Sequence, residues 1–106
     1  MRTVLLTGAG SFIARACASV LVRDGVRLIG VARSAVAGAP YDRIYPASLG
    51  DSLVSLFREE QVDAVVHCAN DTGKDAYATN VNGTTRWITE AGEGGVRRQI
   101  FLSSLS

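Results

Sequence analysis

Residues 7–14 read Thr-Gly-Ala-Gly-Ser-Phe-Ile-Ala, and these types at this spacing suit one task, the holding of a phosphate. An apolar run of strand length, Val4 to Leu6, meets Gly8 and Gly10, and apolar residues at helical spacing begin at Phe12 and Ile13. The pattern predicts strand, tight turn, helix. A helix that starts at such a turn presents unpaired N–H groups and the positive end of its dipole. Glycine there lets a pyrophosphate reach the backbone with no Cβ in the way, so a dinucleotide is the expected ligand. Against the fingerprint T-G-x-x-G-x-x-G only Gly8 is in register. Ala14 replaces the third glycine, where a small residue suffices for helix–strand packing. Ser11 replaces the second. It either narrows the space for the pyrophosphate or adds a hydroxyl to it, with Gly10 supplying backbone freedom one residue early. The alternative is a plain strand-to-helix turn that binds nothing.

Arg33 is the next residue with a chemical reading. It follows Val26–Ala32, a run apolar enough for a parallel strand covered on both faces, and the tip of that strand faces the adenosine ribose in a dinucleotide fold. An acid there accepts from the 2′-hydroxyl of NAD, whereas an arginine pairs with the 2′-phosphate of NADP. Arg33 favours NADP, with NAD the second choice; an arginine solvated at a strand end is the alternative. His67 lies in another apolar strand, where a core side chain is the more frequent role than catalysis. Cys17 and Cys68 have no metal-ligand spacing and read as small buried residues, Cys68 lining the ligand cleft; no metal site is expected.

The elements that must position these residues follow from periodicity. A first helix starts at Phe12 and ends at Asp24-Gly25, with Gly25 as the left-handed cap. Ser34 to Asp42 is a loop, Arg43 to Pro46 a short strand, and Ser52 to Glu60 a helix capped by Asp51 or Ser52. Val62 to Ala69 is a fourth strand. A long helix runs from about Asp75 to Glu93, with Ala78, Val81, Thr85, Trp87 and Ile88 among its packing positions, and Gly94-Gly95 end it. Gly83 inside that helix costs about 1 kcal/mol against alanine, which points to a backbone passing close by. Arg97 to Ser104 is a fifth strand.

Composition restricts the partners. The chain has 106 residues, 47% hydrophobic and 20% charged, with a net charge of +1. That is one globular domain with no basic footprint for nucleic acid or anionic membrane. No apolar run approaches the ~20 residues of a membrane span, so a cytoplasmic location is expected.

The order of motifs resembles the extended short-chain dehydrogenase/reductases, the NAD(P)-dependent epimerase/dehydratase group. Thr7-Gly8-Ala9 with Phe12-Ile13 is similar to T-G-x-x-G-F-I-G, and Asp63-Ala-Val-Val-His-Cys-Ala69 to D-x-V-I-H-L-A. Tyr77-Ala-Thr-Asn-Val-Asn-Gly-Thr84 matches Y-x-x-N-V-x-G-T, and Phe101-Leu-Ser-Ser104 resembles the serine-tipped strand before the active site. The resemblance covers essentially the whole chain. It implies an α/β, Rossmann-like, doubly wound parallel sheet of five strands in the order 3-2-1-4-5, forming one NAD(P)-binding domain over residues 1–106. It also implies roles: Gly8, Ser11, Phe12 and Ile13 at the pyrophosphate, Arg33 at the ribose phosphate, Ser48-Leu49 at the adenine. Cys68, Ala69 and Asn70 would run beneath the nicotinamide half, Asn80 would tie its helix to the neighbouring strand, and Ser104 falls where the catalytic Ser/Thr holds a substrate hydroxyl. Ser48 stands where the family usually carries Asp.

Family chemistry also needs a Tyr-x-x-x-Lys pair, a phenol whose pKa is lowered by an ammonium. None of Tyr41, Tyr45 and Tyr77 has a lysine four residues on, and the single lysine, Lys74, precedes Tyr77. The expectation is a chain truncated before the substrate-binding half and inactive alone, taking a small-molecule substrate only when completed by further sequence. Ile100, Phe101 and Leu102 would then form an apolar edge open to self-association. Three readings stand: the cofactor-binding part of an oxidoreductase or nucleotide-sugar epimerase/dehydratase, a non-catalytic NADP-sensing module, and a protein-interaction domain that binds no nucleotide.

Overall fold

The computed structural model describes residues 2–34, 36, 40–69 and 76–101. Five strands form one sheet: β1 (Thr3–Thr7), β2 (Arg27–Ala32), β3 (Arg43–Pro46), β4 (Ala64–His67) and β5 (Arg98–Phe101). Their order is β3-β2-β1-β4-β5 and every neighbouring pair is parallel, as expected. β1 is central and all five of its residues are buried, because helices cover both faces of a parallel sheet. Alternation along β1 divides the core. Val4 and Leu6 pack with Leu28, Val66 and with Ala14 and Ala18 of α1 (Phe12–Arg23). Leu5 faces the other layer with Ile29, Val65, Leu56, Phe57 and Trp87, under α2 (Val54–Glu59) and α3 (Ala76–Glu93).

α1 begins and ends where its sequence signals it. Ser11 is the N-cap, its hydroxyl accepting from Ala14 N at 3.2 Å. Asp24 closes the helix and Gly25 follows at φ +73°. α2 differs from expectation. It starts at Val54 with Leu53 in the N-cap position; of the two expected caps, Ser52 does accept from Val54 N through its hydroxyl at 3.3 Å, whereas Asp51 does not serve the helix. Asp51 Oδ2 instead accepts from Ser48 N at 2.8 Å and stabilises the turn before the helix. α3 completes the helix start: Glu90 accepts from Leu53 N at 2.7 Å and from the Ser52 hydroxyl at 3.0 Å. Replacing Glu90 with alanine removes both acceptors and is expected to cost about 1–2 kcal/mol, the range for a lost helix cap, measured by urea unfolding.

In α3 a Cβ on Gly83 would lie 2.8 Å from Leu49 Cγ and 3.0 Å from Gly50 N, so the close approach predicted from that glycine is the 48–51 turn. Trp87 is buried as expected, but Val81 is 46% exposed. β5 is the terminal strand, with Ile100 and Phe101 each about half exposed; Leu102 lies outside the described residues. No helix among the described residues is long and apolar enough to cross a membrane.

Candidate functional site

The turn after β1 is held from both sides. Thr7 Oγ1 accepts from Cys68 N at 3.0 Å and Ala69 N at 3.1 Å, which fixes it to the end of β4. On the other side Ala9 N donates to Val31 O at 3.0 Å, and the Tyr41 hydroxyl donates to Ala9 O at 2.9 Å. Gly8 has φ +64°, and a Cβ there would stand 2.8 Å from Ala69 Cα and 2.9 Å from Ala69 N. Glycine is therefore required twice, by conformation and by a neighbouring backbone. At Gly10 a Cβ would meet only Val36 Cγ2 at 3.6 Å, an ordinary contact. Thr7 was not singled out for this clamp, although a threonine closing an apolar strand was the available signal.

Above the turn, at the carboxyl ends of β1, β2 and β4, lies a cleft of about 660 Å³. That volume suits a cofactor, and the position is where doubly wound sheets bind ligands. Gly8, Gly10, Ser11, Arg33, Ser48, Leu49, Cys68 and Ala69, all expected at the site, line it together. Phe12 and Ile13 do not: they are 87% and 43% exposed on the first turn of α1. Asn80 is half-buried on α3 and outside the lining. Asn70 and Ser104 lie outside the described residues.

Sequence reasoning missed Arg15, Ser34, Val36 and Trp87, which also line the cleft. Arg15 follows Ser11 by one helical turn, and that spacing was the signal for it. Trp87 is a core residue, as its periodicity implies, and it also contributes to the lining of the cleft, as does Leu49.

The floor of the cleft is small (Gly8, Gly10, Ala32, Ala69) and its rim carries two guanidinium groups, from Arg15 and Arg33. This donor set fits an elongated, anionic ligand whose phosphates approach main-chain N–H groups. Ser11 does not obstruct it, since the hydroxyl turns back to the α1 backbone. Proton-transfer groups are not poised here. Burial pushes the Tyr41 phenol up to about 12 and the Cys68 thiol to about 11, so both stay protonated near neutrality. Among the described residues no group of three or more His, Cys, Asp or Glu could hold a metal ion.

His67 lies at the end of β4 but away from the lining. It is 5% exposed, stacks on Phe101 with ring centroids 4.6 Å apart, and its Nε2 is 2.7 Å from Gln99 Oε1. Gln99 Nε2 donates to Ile88 O, so Gln99 Oε1 is the acceptor and His67 Nε2 carries the proton. Nδ1 is buried with no partner among the described residues. This is a core histidine linking β4 to β5. Burial holds its pKa below the ordinary 6.5, against the Gln99 hydrogen bond that acts to raise it. The unfolded chain therefore takes up the proton first. His67's contribution is complete above pH 6.5 and is lost as pH falls from there toward the lower folded value. The urea midpoint is expected to drop across that window, and H67Q to remove this component of the drop.

A family model described as the NAD dependent epimerase/dehydratase family matches residues 4–106. Comparison with curated protein sequences gives no significant match. Among solved structures, UDP-glucose 4-epimerase from Bifidobacterium longum in complex with NAD+ and UDP is 27% identical, with a TM-score of 0.85 over 97% of this chain and 37% of its own. A short-chain dehydrogenase/reductase superfamily protein from Agrobacterium tumefaciens with bound NAD is 28% identical, with a TM-score of 0.82 over 97% and 33%. The Bordetella bronchiseptica enzyme WbmH in complex with NAD+ is 27% identical, with a TM-score of 0.79 over 93% and 38%. The chain thus spans well under half the length of these three structures.

Proposed function

The chain belongs to the NAD dependent epimerase/dehydratase family, and from that premise we propose that it is the NAD(P)-binding part of an oxidoreductase or nucleotide-sugar epimerase/dehydratase. The observation that carries this reading is that one cleft above Gly8 gathers eight separately expected residues from four parts of the chain. Structural neighbours with bound NAD and, in one case, UDP support it by sharing the fold.

When bound, the dinucleotide supplies hydride transfer at its nicotinamide ring. The residues of this chain bind and orient it. The turn at Gly8 and the N–H groups of Phe12 and Ile13 receive the pyrophosphate; Ser48 and Leu49 flank the adenine; Cys68 and Ala69 run under the nicotinamide half, and Asn70, outside the described residues, is assigned there by the family resemblance alone. Arg33, at the tip of β2, pairs with a 2′-phosphate and makes NADP the preferred form. Ser104, outside the described residues, is assigned a substrate hydroxyl by the family resemblance alone. No Tyr-x-x-x-Lys pair occurs in these 106 residues, so they bind cofactor without turning it over by themselves.

Calorimetric titration of the chain with NADPH and NADH tests the reading. Saturable binding of both, with NADPH tighter, is expected, and R33D should reverse the order by weakening NADPH about tenfold or more. A folded chain that binds neither would overturn the proposal in favour of an interaction domain.

A further inference from the structure

Arg15 is a residue to which neither the glycine fingerprint nor the strand tips assign a role, and its placement is specific. It sits on the first turn of α1, one turn after Ser11, and helical side chains lean toward the N-terminus. Its Nε donates to Gly10 O at 3.2 Å, so the guanidinium is drawn back over the turn and into the lining of the cleft. The turn has two sides. A Cβ on Gly8 would face Ala69 at the end of β4, whereas one on Gly10 would face Val36, in the segment that follows Arg33 and Ser34. Arg15, tethered to Gly10, therefore stands on the β2 side with Arg33, Ser34 and Val36.

We propose that Arg15 is a second determinant of cofactor choice, forming with Arg33 and the Ser34 hydroxyl a cradle for the 2′-phosphate of NADP. This rests on the dinucleotide reading above. Two planar guanidiniums from different elements meet a phosphate dianion from two directions, which a solvated arginine at a strand tip does not accomplish alone. NADH lacks that phosphate and gains little from either group.

The test is calorimetry on the 106-residue chain and on R15A, R15K and R33A, with NADPH, NADH and the fragment 2′,5′-ADP as probes. Circular dichroism checks folding, and Arg15 is exposed enough for the variants to retain it. R15A is expected to weaken NADPH and 2′,5′-ADP about tenfold or more while leaving NADH within about twofold, with partial recovery in R15K, which keeps the charge but not the fork. An R15A variant that loses NADH and NADPH equally overturns the assignment and moves Arg15 to the pyrophosphate or to support of the turn. One that loses neither overturns it also. A parent chain that binds no dinucleotide overturns the functional reading, and this assignment with it.

Discussion

Gly8→Ala is expected to abolish dinucleotide binding and to lower stability by about 2–4 kcal/mol, the sum of a left-handed penalty for a residue with a Cβ and of overpacking. Both costs are visible. Gly8 sits at φ +64°, and the added methyl would lie 2.8 Å from Ala69 Cα and 2.9 Å from Ala69 N. Those are main-chain atoms, already held by Thr7 Oγ1, so no side-chain rotation relieves the clash. The turn must move, and the N–H groups at the start of α1 move with it. Gly10→Ala is the control: its methyl meets Val36 Cγ2 at 3.6 Å, and its stability change should stay within about 1 kcal/mol. Urea unfolding of the two variants, together with NADPH titration, checks both parts. Equal stabilities for G8A and G10A would contradict the geometry.

Trp87→Ala should have an effect of about 3–5 kcal/mol, a large share of the stability of a domain this size. The indole is 2% exposed and heads the fully buried side chains by volume, in the layer with Leu5, Ile29 and Phe57. Its Nε1 also donates to Asp51 O at 2.6 Å, which ties α3 to the turn that carries Ser48 and Leu49. Arg86 reinforces the same turn by donating to Gly50 O at 2.9 Å. Loss of the ring therefore empties the core and frees the Ser48-Leu49 turn of the cleft together. W87F separates these effects: it restores most of the volume, costs less in stability, and still leaves Asp51 O without the indole donor. Far-UV circular dichroism is the readout, because Trp87 is the only tryptophan. A Trp87→Ala midpoint close to that of the parent would show that the α3 layer does not carry the fold.

Much of the architecture was legible because it is written in local periodicity. α1 and its Gly25 cap, β3 from Arg43 to Pro46, and the end of α3 at Gly94-Gly95 lie where spacing and glycine placement put them. The glycine at position 83 correctly announced a close backbone, since only contact explains glycine inside a helix. The misses share a cause. Ser52 bonds the start of α2 as its position suggests, but Asp51 does not, and the remaining acceptor is Glu90, 37 residues from Leu53. Val81 fits the apolar stripe of α3 and yet points outward, because periodicity identifies an apolar position without saying whether a neighbour covers it.

The sequence by itself therefore determined the elements, the sheet order through its family motifs, and most of the residues that meet in the cleft, since these depend on short-range pattern and on backbone demands a single glycine reveals. Tertiary structure alone decided how they are held. The Thr7 clamp spans 61 and 62 positions of chain, Tyr41 reaches Ala9 across 32, and the tether that turns Arg15 toward the β2 side depends on where the first turn of α1 falls beside Gly10. Such contacts carry no periodic signature, because they exist only once the parallel sheet has brought distant segments to the same edge.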